Sequence, residues 1–140
     1  MSDEAISANA HHAVEVPNGG WDARVRVFRA GDEVDTFAVV TQRYLILIDT
    51  MATPELSAEI MDMLASERDG RQLLVINTHA DYDHCWGNAT FAAPGGAHPA
   101  PIIAHERCLT RMRSVEARAS LERRQKGDSR FASVRLVEPT

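Results

Sequence analysis

From Ala23 the chain alternates apolar and polar side chains, Val25 and Val27 against Arg24 and Arg26. A period of two is that of a strand with one face more exposed than the other. Gly31-Asp32 supplies a turn. Residues 36–40 and 44–48 follow as further strands, the second so apolar that it is expected at the centre of a sheet. The period then lengthens. Leu56, Ile60, Met63 and Leu64 recur at the spacing of one helix face, Pro54 suits the first turn of that helix, and Asp69-Gly70 ends it. Residues 73–76 are apolar throughout and predict a buried strand. Residues 91–101, rich in Ala, Gly and Pro, predict a loop, and residues 102–104 a short strand. Residues 106–126 predict a helix with Leu109, Met112 and Ala119 as a thin apolar stripe, and residues 134–137 the start of another strand. An antiparallel opening followed by strand–helix–strand–helix indicates a mixed α/β (α+β) layer fold. Residues 1–20 have no apolar period and end in Pro17-Asn18-Gly19-Gly20. They read as a flexible leader before a domain over residues 21–140, with His11 and His12 as polar tail residues.

Composition narrows the picture. A chain of 140 residues with 44% apolar side chains can bury a sizeable core in one domain. The net charge of −5 gives no general reason to bind nucleic acid. Acids dominate residues 1–104, while bases dominate residues 105–140. The bases there are interspersed with acids and lack aromatic neighbours, which describes a solvated Arg-rich helix rather than an RNA surface. The start MSDEAISANA lacks the basic and apolar regions of a secretory signal, and no apolar run reaches membrane-spanning length. Two cysteines, Cys85 and Cys108, make no disulfide framework. The expectation is a soluble, cytoplasmic protein with reduced thiols.

The candidate chemistry lies in VINTHADYDHCWGN, residues 75–88. His79, Asp81, Asp83 and His84 follow directly on the buried strand, at the end where open α/β folds place ligands. While the backbone stays extended, His79, Asp81 and Asp83 point the same way, and His84 sits where it must turn. Imidazole nitrogens and carboxylate oxygens suit zinc, iron or manganese. Neighbouring carboxylates repel unless a cation lies between them. The bland alternative makes the aspartates turn formers and the histidines surface residues, but four donors behind one strand favour a metal site. His98 and His105 read as loop and capping residues. Cys85 reads as a small buried residue starting a helix and Trp86 as a packing residue. Gly87 reads as a point of close backbone approach and Asn88 as a cap.

Thr78-His79-Ala80-Asp81-Tyr82-Asp83-His84 resembles the T-H-x-H-x-D-H signature of the metallo-β-lactamase superfamily, and Leu47-Ile48-Asp49-Thr50 resembles the strand of that family that ends in Asp-Thr. The resemblance runs from about Trp21 to the C-terminus. It implies an αββα sandwich, of which this chain carries only the amino-terminal half. It also implies His79 on a first metal ion and Asp83 and His84 on a second, with Asp49 orienting a ligand or the loop from behind. Asp81 replaces the signature's second histidine. A carboxylate there still ligates, and it raises the preference of the site for iron or manganese over zinc.

The function implied is a metal-dependent hydrolase using one or two Zn²⁺ ions. A metal-bound hydroxide, oriented by Asp83 as the catalytic residue, would attack a small-molecule ester, thioester, lactam or phosphoester. Tyr82 stands where substrate could meet it. Two other readings remain open. The flavo-diiron branch of the superfamily carries a Glu at the place of Asp81 and does redox chemistry on iron. A half-domain could also be inactive until a second chain completes it. Half a sandwich would leave one sheet face apolar and bare, so self-association or a completing chain is expected.

Overall fold

A computed structural model describes residues 12–32 and 34–140. Six strands form one mixed sheet in sequence order: β1 Val14–Val16, β2 Val25–Ala30, β3 Val34–Val40, β4 Tyr44–Ile48, β5 Gln72–Ile76 and β6 Ile102–Ile103. Neighbours run antiparallel from β1 to β4, and parallel from β4 to β6. The β4–β5 crossover is helical, through α1 Pro54–Met63 and the short α2 Ala65–Arg68. Thr53 caps α1, its hydroxyl accepting from the Leu56 N–H at 3.2 Å, and Pro54 occupies the first turn. Leu56, Ile60 and Met61 are the face of α1 that is buried against the sheet.

The strand registers sort the side chains onto two faces. Phe28, Ala38, Leu45, Leu47, Leu73, Val75 and Ile102 lie on one. They join a single core with the buried residues of α1, with Phe91, with Cys108 and Met112, and with Phe131 and Val134. The opposite face carries Val25, Val27, Phe37, Val39, Ile46, Ile48, Leu74, Ile76 and Ile103. None of these nine belongs to that core or packs against it. The fold is therefore a helical layer on one face of a mixed sheet, one αβ half of a four-layer αββα arrangement. Among the described residues no helix is long and apolar enough to cross a membrane.

Three expectations are corrected. Residues 1–11 of the expected leader lie outside the described residues, but Val14–Val16 is not loose. It pairs with β2, Val16 opposite Val27, and Arg26 grips Glu15 at 2.7 and 2.8 Å across the strands. Three residues are too few to show a period. The single helix over 106–126 is two, α4 Glu106–Met112 and α5 Val115–Gly127. Ser114 breaks it by capping α5, its hydroxyl accepting from the Ala117 N–H at 3.1 Å and donating to the Arg111 carbonyl at 2.6 Å. Residues 134–137 form no strand. Their carbonyls are taken by side chains instead: Gln125 Nε2 donates to Val134 O at 2.9 Å and Asn88 Nδ2 to Val137 O at 3.0 Å. The other elements match the expected ones to within two or three residues.

A buried polar cluster locks the loops that leave β4 and β5. Asn88 is fully buried and bridges Thr50, Asn77 and Val137 rather than acting as a simple cap. The Thr50 hydroxyl donates to Asn88 Oδ1 at 2.9 Å, and Asn77 and Asn88 exchange amide bonds at 3.0 and 2.7 Å. Gly87 lies where the two loops touch. A Cβ on it would overlap the Thr50 carbonyl and the Ser57 hydroxyl. Gly87→Ala should therefore lower stability by about 2–3 kcal/mol or more, read as a reduced urea midpoint with an unchanged slope. A midpoint equal to wild type would mean that the loops are not held so closely.

Candidate metal centre

The parallel register sets Ile48 beside Ile76, so β4 and β5 end together. Asp49 follows the one strand, and Asn77, Thr78 and His79 follow the other. The Asp49 N–H donates to Ile76 O at 2.7 Å, which carries the pairing one residue further. Asp49 then adopts φ +70°, in the left-handed region that Asp tolerates better than most residues. Its carboxylate is buried and accepts three hydrogen bonds. Oδ1 takes the Thr78 N–H at 2.8 Å. Oδ2 takes the Thr78 hydroxyl at 2.8 Å and His84 Nδ1 at 2.7 Å.

This network fixes both imidazoles. A carboxylate only accepts, so His84 Nδ1 carries the proton that faces Asp49. The Thr78 hydroxyl spends its one hydrogen on Asp49, so it accepts from His79 Nδ1 at 2.8 Å. Both histidines are held through Nδ1, which turns Nε2 away from Asp49 and Thr78. The two Nε2 atoms point at the motif's carboxylates: His79 Nε2 lies 3.4 Å from Asp81 Oδ2, and His84 Nε2 lies 3.6 Å from Asp83 Oδ1. The rings sit 4.1 Å apart, centroid to centroid. His79 and Asp81 are about half exposed, whereas Asp83 and His84 are about four-fifths covered.

The four predicted donors thus meet on one loop and the short helix α3 Tyr82–Cys85, arranged as two His–Asp pairs. Among the described residues, no three His, Cys, Asp or Glu side chains form a ready-made cage for one ion. The donor chemistry nonetheless fits a divalent cation. Two imidazoles are each anchored through Nδ1 and each turns Nε2 toward a carboxylate. Asp81 keeps Oδ2 toward His79 while Oδ1 faces Arg111 at 3.4 Å.

Neighbouring residues separate into packing and capping roles. Trp86 is buried in edge-to-face contact with Tyr82 and Phe131 at 5.5 and 5.6 Å. Arg124 stacks over the Tyr82 ring at 3.6 Å. Cys85 is buried, though it closes α3 rather than opening a helix. Burial pushes its thiol up to about 12, with the charges of Cys108 and Asp49 adding to the rise. A thiol held protonated is a poor ligand. His105 caps α4, its Nδ1 accepting from the Arg107 N–H at 3.1 Å, and His98 lies in the loop, its N–H on Thr90 O at 2.9 Å. A cleft of about 280 Å³ opens beside the pairs, lined by Asp81, Tyr82, Trp86, Arg111, Ser114 and Arg123 among others. Sequence reasoning gave Thr78 no role beyond the motif, since a hydroxyl that relays between an Asp and a His leaves no pattern in the chain.

The chain belongs to the metallo-β-lactamase superfamily: the Metallo-beta-lactamase superfamily profile matches residues 29–135. It is similar in fold to a metallo-beta-lactamase with a HARLDQ motif from Cronobacter sakazakii, with 19% identity and a TM-score of 0.50 over 80% of this chain and 38% of that one. It is also similar to the metallo-beta-lactamase FIM-1 from Pseudomonas aeruginosa in its mono-zinc form, at 19% identity, TM-score 0.46, 71% of this chain and 38% of that one. A third is MEM-A1, a subclass B3 metallo-beta-lactamase isolated from a soil metagenome library, at 19% identity, TM-score 0.46, 76% and 37%. The chain spans well under half the length of these structures. No curated protein matches the sequence.

Two outcomes follow from this geometry. Thr78→Val removes the relay to His79 and should weaken metal binding about 10- to 100-fold with little change in fold, measured by competition with a chromogenic chelator. An affinity equal to wild type would deny Thr78 a part in holding His79. At pH 8, far below the Cys85 value of about 12, that thiol should resist iodoacetamide in the folded protein and react after unfolding. Rapid native labelling, read by peptide mass, would show it exposed and ionised.

Proposed function

We propose that this chain is a metal-dependent hydrolase of the metallo-β-lactamase type, acting on a small-molecule ester, thioester, lactam or phosphoester. The observation that carries the reading is the pair of histidines, each anchored through Nδ1 and each turning Nε2 toward a carboxylate. His79 and Asp81 would hold one divalent ion and Asp83 and His84 a second, or the four would share one. When bound, such an ion supplies Lewis-acid activation of water and of the scissile group.

The chain's own residues do the rest. Asp49, directly on His84 and through Thr78 on His79, holds the two imidazoles in fixed orientation. Asp83, largely covered, orients the attacking water and receives its proton. The cleft beside Asp81 offers Arg111 and Arg123 to the substrate's remote part. Asp81, a harder donor than imidazole, draws the site from zinc toward iron or manganese. Buried, free Cys85 and Cys108 suit a reducing, cytoplasmic setting.

Elemental analysis of the purified chain tests this reading. Wild type should carry one or two transition-metal ions per chain, and His79→Ala should lose most of that metal together with hydrolysis of chromogenic ester, lactam and phosphoester probes. Asp81→His should raise the zinc share over iron and manganese. Metal content that His79→Ala leaves unchanged would remove the assignment.

A further inference from the structure

α5 has no fully buried side chain, so an apolar stripe does not account for where it lies. Of its apolar side chains, only the half-buried Leu121 packs against the core. Two consecutive polar residues tie it to the body. Gln125 Nε2 donates to Phe131 O at 3.2 Å and to Val134 O at 2.9 Å. Arg124 lays its guanidinium over the Tyr82 ring, Cζ 3.6 Å from the ring centroid, with the Phe131 ring 5.9 Å away. Among the described residues no carboxylate pairs with Arg124, so its charge is turned to the ring. Tyr82 in turn meets Trp86 and Phe131 edge to face, at 5.5 and 6.4 Å. It is also the first residue of α3, between Asp81 and Asp83.

We infer that Arg124 is a positioning residue for the metal centre: stacked on the Tyr82 ring, it pins the turn from Asp81 to His84 and thereby sets where Asp81 and Asp83 point. The inference rests on the metal reading proposed above. Asp49 anchors the imidazoles, but its three bonds go to Thr78 and His84 and none to Asp81 or Asp83. The carboxylates need another hold. α3 is a single turn, too short to keep its own shape, closed by the His84 N–H on Asp81 O at 3.0 Å and the Trp86 N–H on Tyr82 O at 3.2 Å. Both aspartates leave the backbone beside Tyr82, so a swing of the backbone there moves both. A flat guanidinium on a ring face resists that swing. Charge alone has the opposite effect on the ion. A guanidinium repels a dication, so removing it would tighten metal binding. Weaker binding on its removal therefore reports lost position rather than lost charge.

Zn²⁺ affinity and hydrogen exchange test this together. By competition with a chromogenic chelator, Arg124→Ala should bind Zn²⁺ about 10-fold more weakly. Arg124→Lys, which keeps the charge but not the flat stack, should lose about 3-fold. Arg118→Ala removes the same charge from an exposed position on α5 and should bind as wild type. In the chelator-stripped chain, the His84 and Trp86 amides of R124A should exchange about 10-fold faster. The Val75 amide, on Pro101 O in the sheet, should keep its wild-type rate and so report an intact fold. In Tyr82→Leu, adding R124A should change neither readout further. Zn²⁺ binding in R124A equal to or tighter than wild type, an equal loss in R118A, or unaltered exchange at His84 and Trp86 would each overturn the inference. A wild type that takes up no Zn²⁺, iron or manganese would sink the hydrolase reading, and the exchange rates would still decide whether Arg124 holds the turn.

Discussion

Asp49 is the point on which the architecture of the centre turns. Its carboxylate is buried, so its charge must be met by donors, and the fold supplies three from the loop after the next strand. Those donors exist only because β4 and β5 run parallel and end at the same level. A slip of one residue would turn Asp49 to the other face of the sheet and leave both a buried charge and two unanchored imidazoles. The left-handed backbone at Asp49 and at Met51, with φ +70° and +64°, is the local strain this placement requires.

The fold was legible where a single period governed the chain. The alternation around Val25, the apolar run ending at Ile48 and the helical spacing of Leu56 and Ile60 each specify an element without help from tertiary contacts. Legibility failed where side chains compete with the backbone. Ser114 ends one helix and starts another, and Gln125 and Asn88 occupy the carbonyls that would have served a strand over residues 134–137. It failed again at Val14–Val16, whose pairing depends on β2 and not on any pattern of its own.

The site was read from donor types and spacing, and the structure does gather His79, Asp81, Asp83 and His84 into one region. Their division into two pairs was not readable. That division comes from which ring nitrogen each histidine gives to Thr78 or Asp49, a matter of packing around a buried carboxylate 29 and 35 residues away in sequence. Arg111 beside Asp81 was equally hidden, since it arrives from α4 after an intervening loop and strand. The apolar runs 44–48 and 73–76 read as strands buried on both sides, whereas only their helix-facing residues join the core. Residues buried on one side only would have given stricter alternation at Ile46–Leu47–Ile48 and Leu73–Leu74–Val75.

The two ends of the sheet differ from its open face. At β6 the outward N–H and carbonyl of Ile102 are consumed by Thr140, its hydroxyl at 3.0 Å and its N–H at 2.8 Å. At the other end β1 is only three residues long. Among the described residues neither margin offers a long row of unmet backbone groups for another chain to extend. Lateral strand-by-strand growth, the route to fibrils, is thereby blunted at both borders.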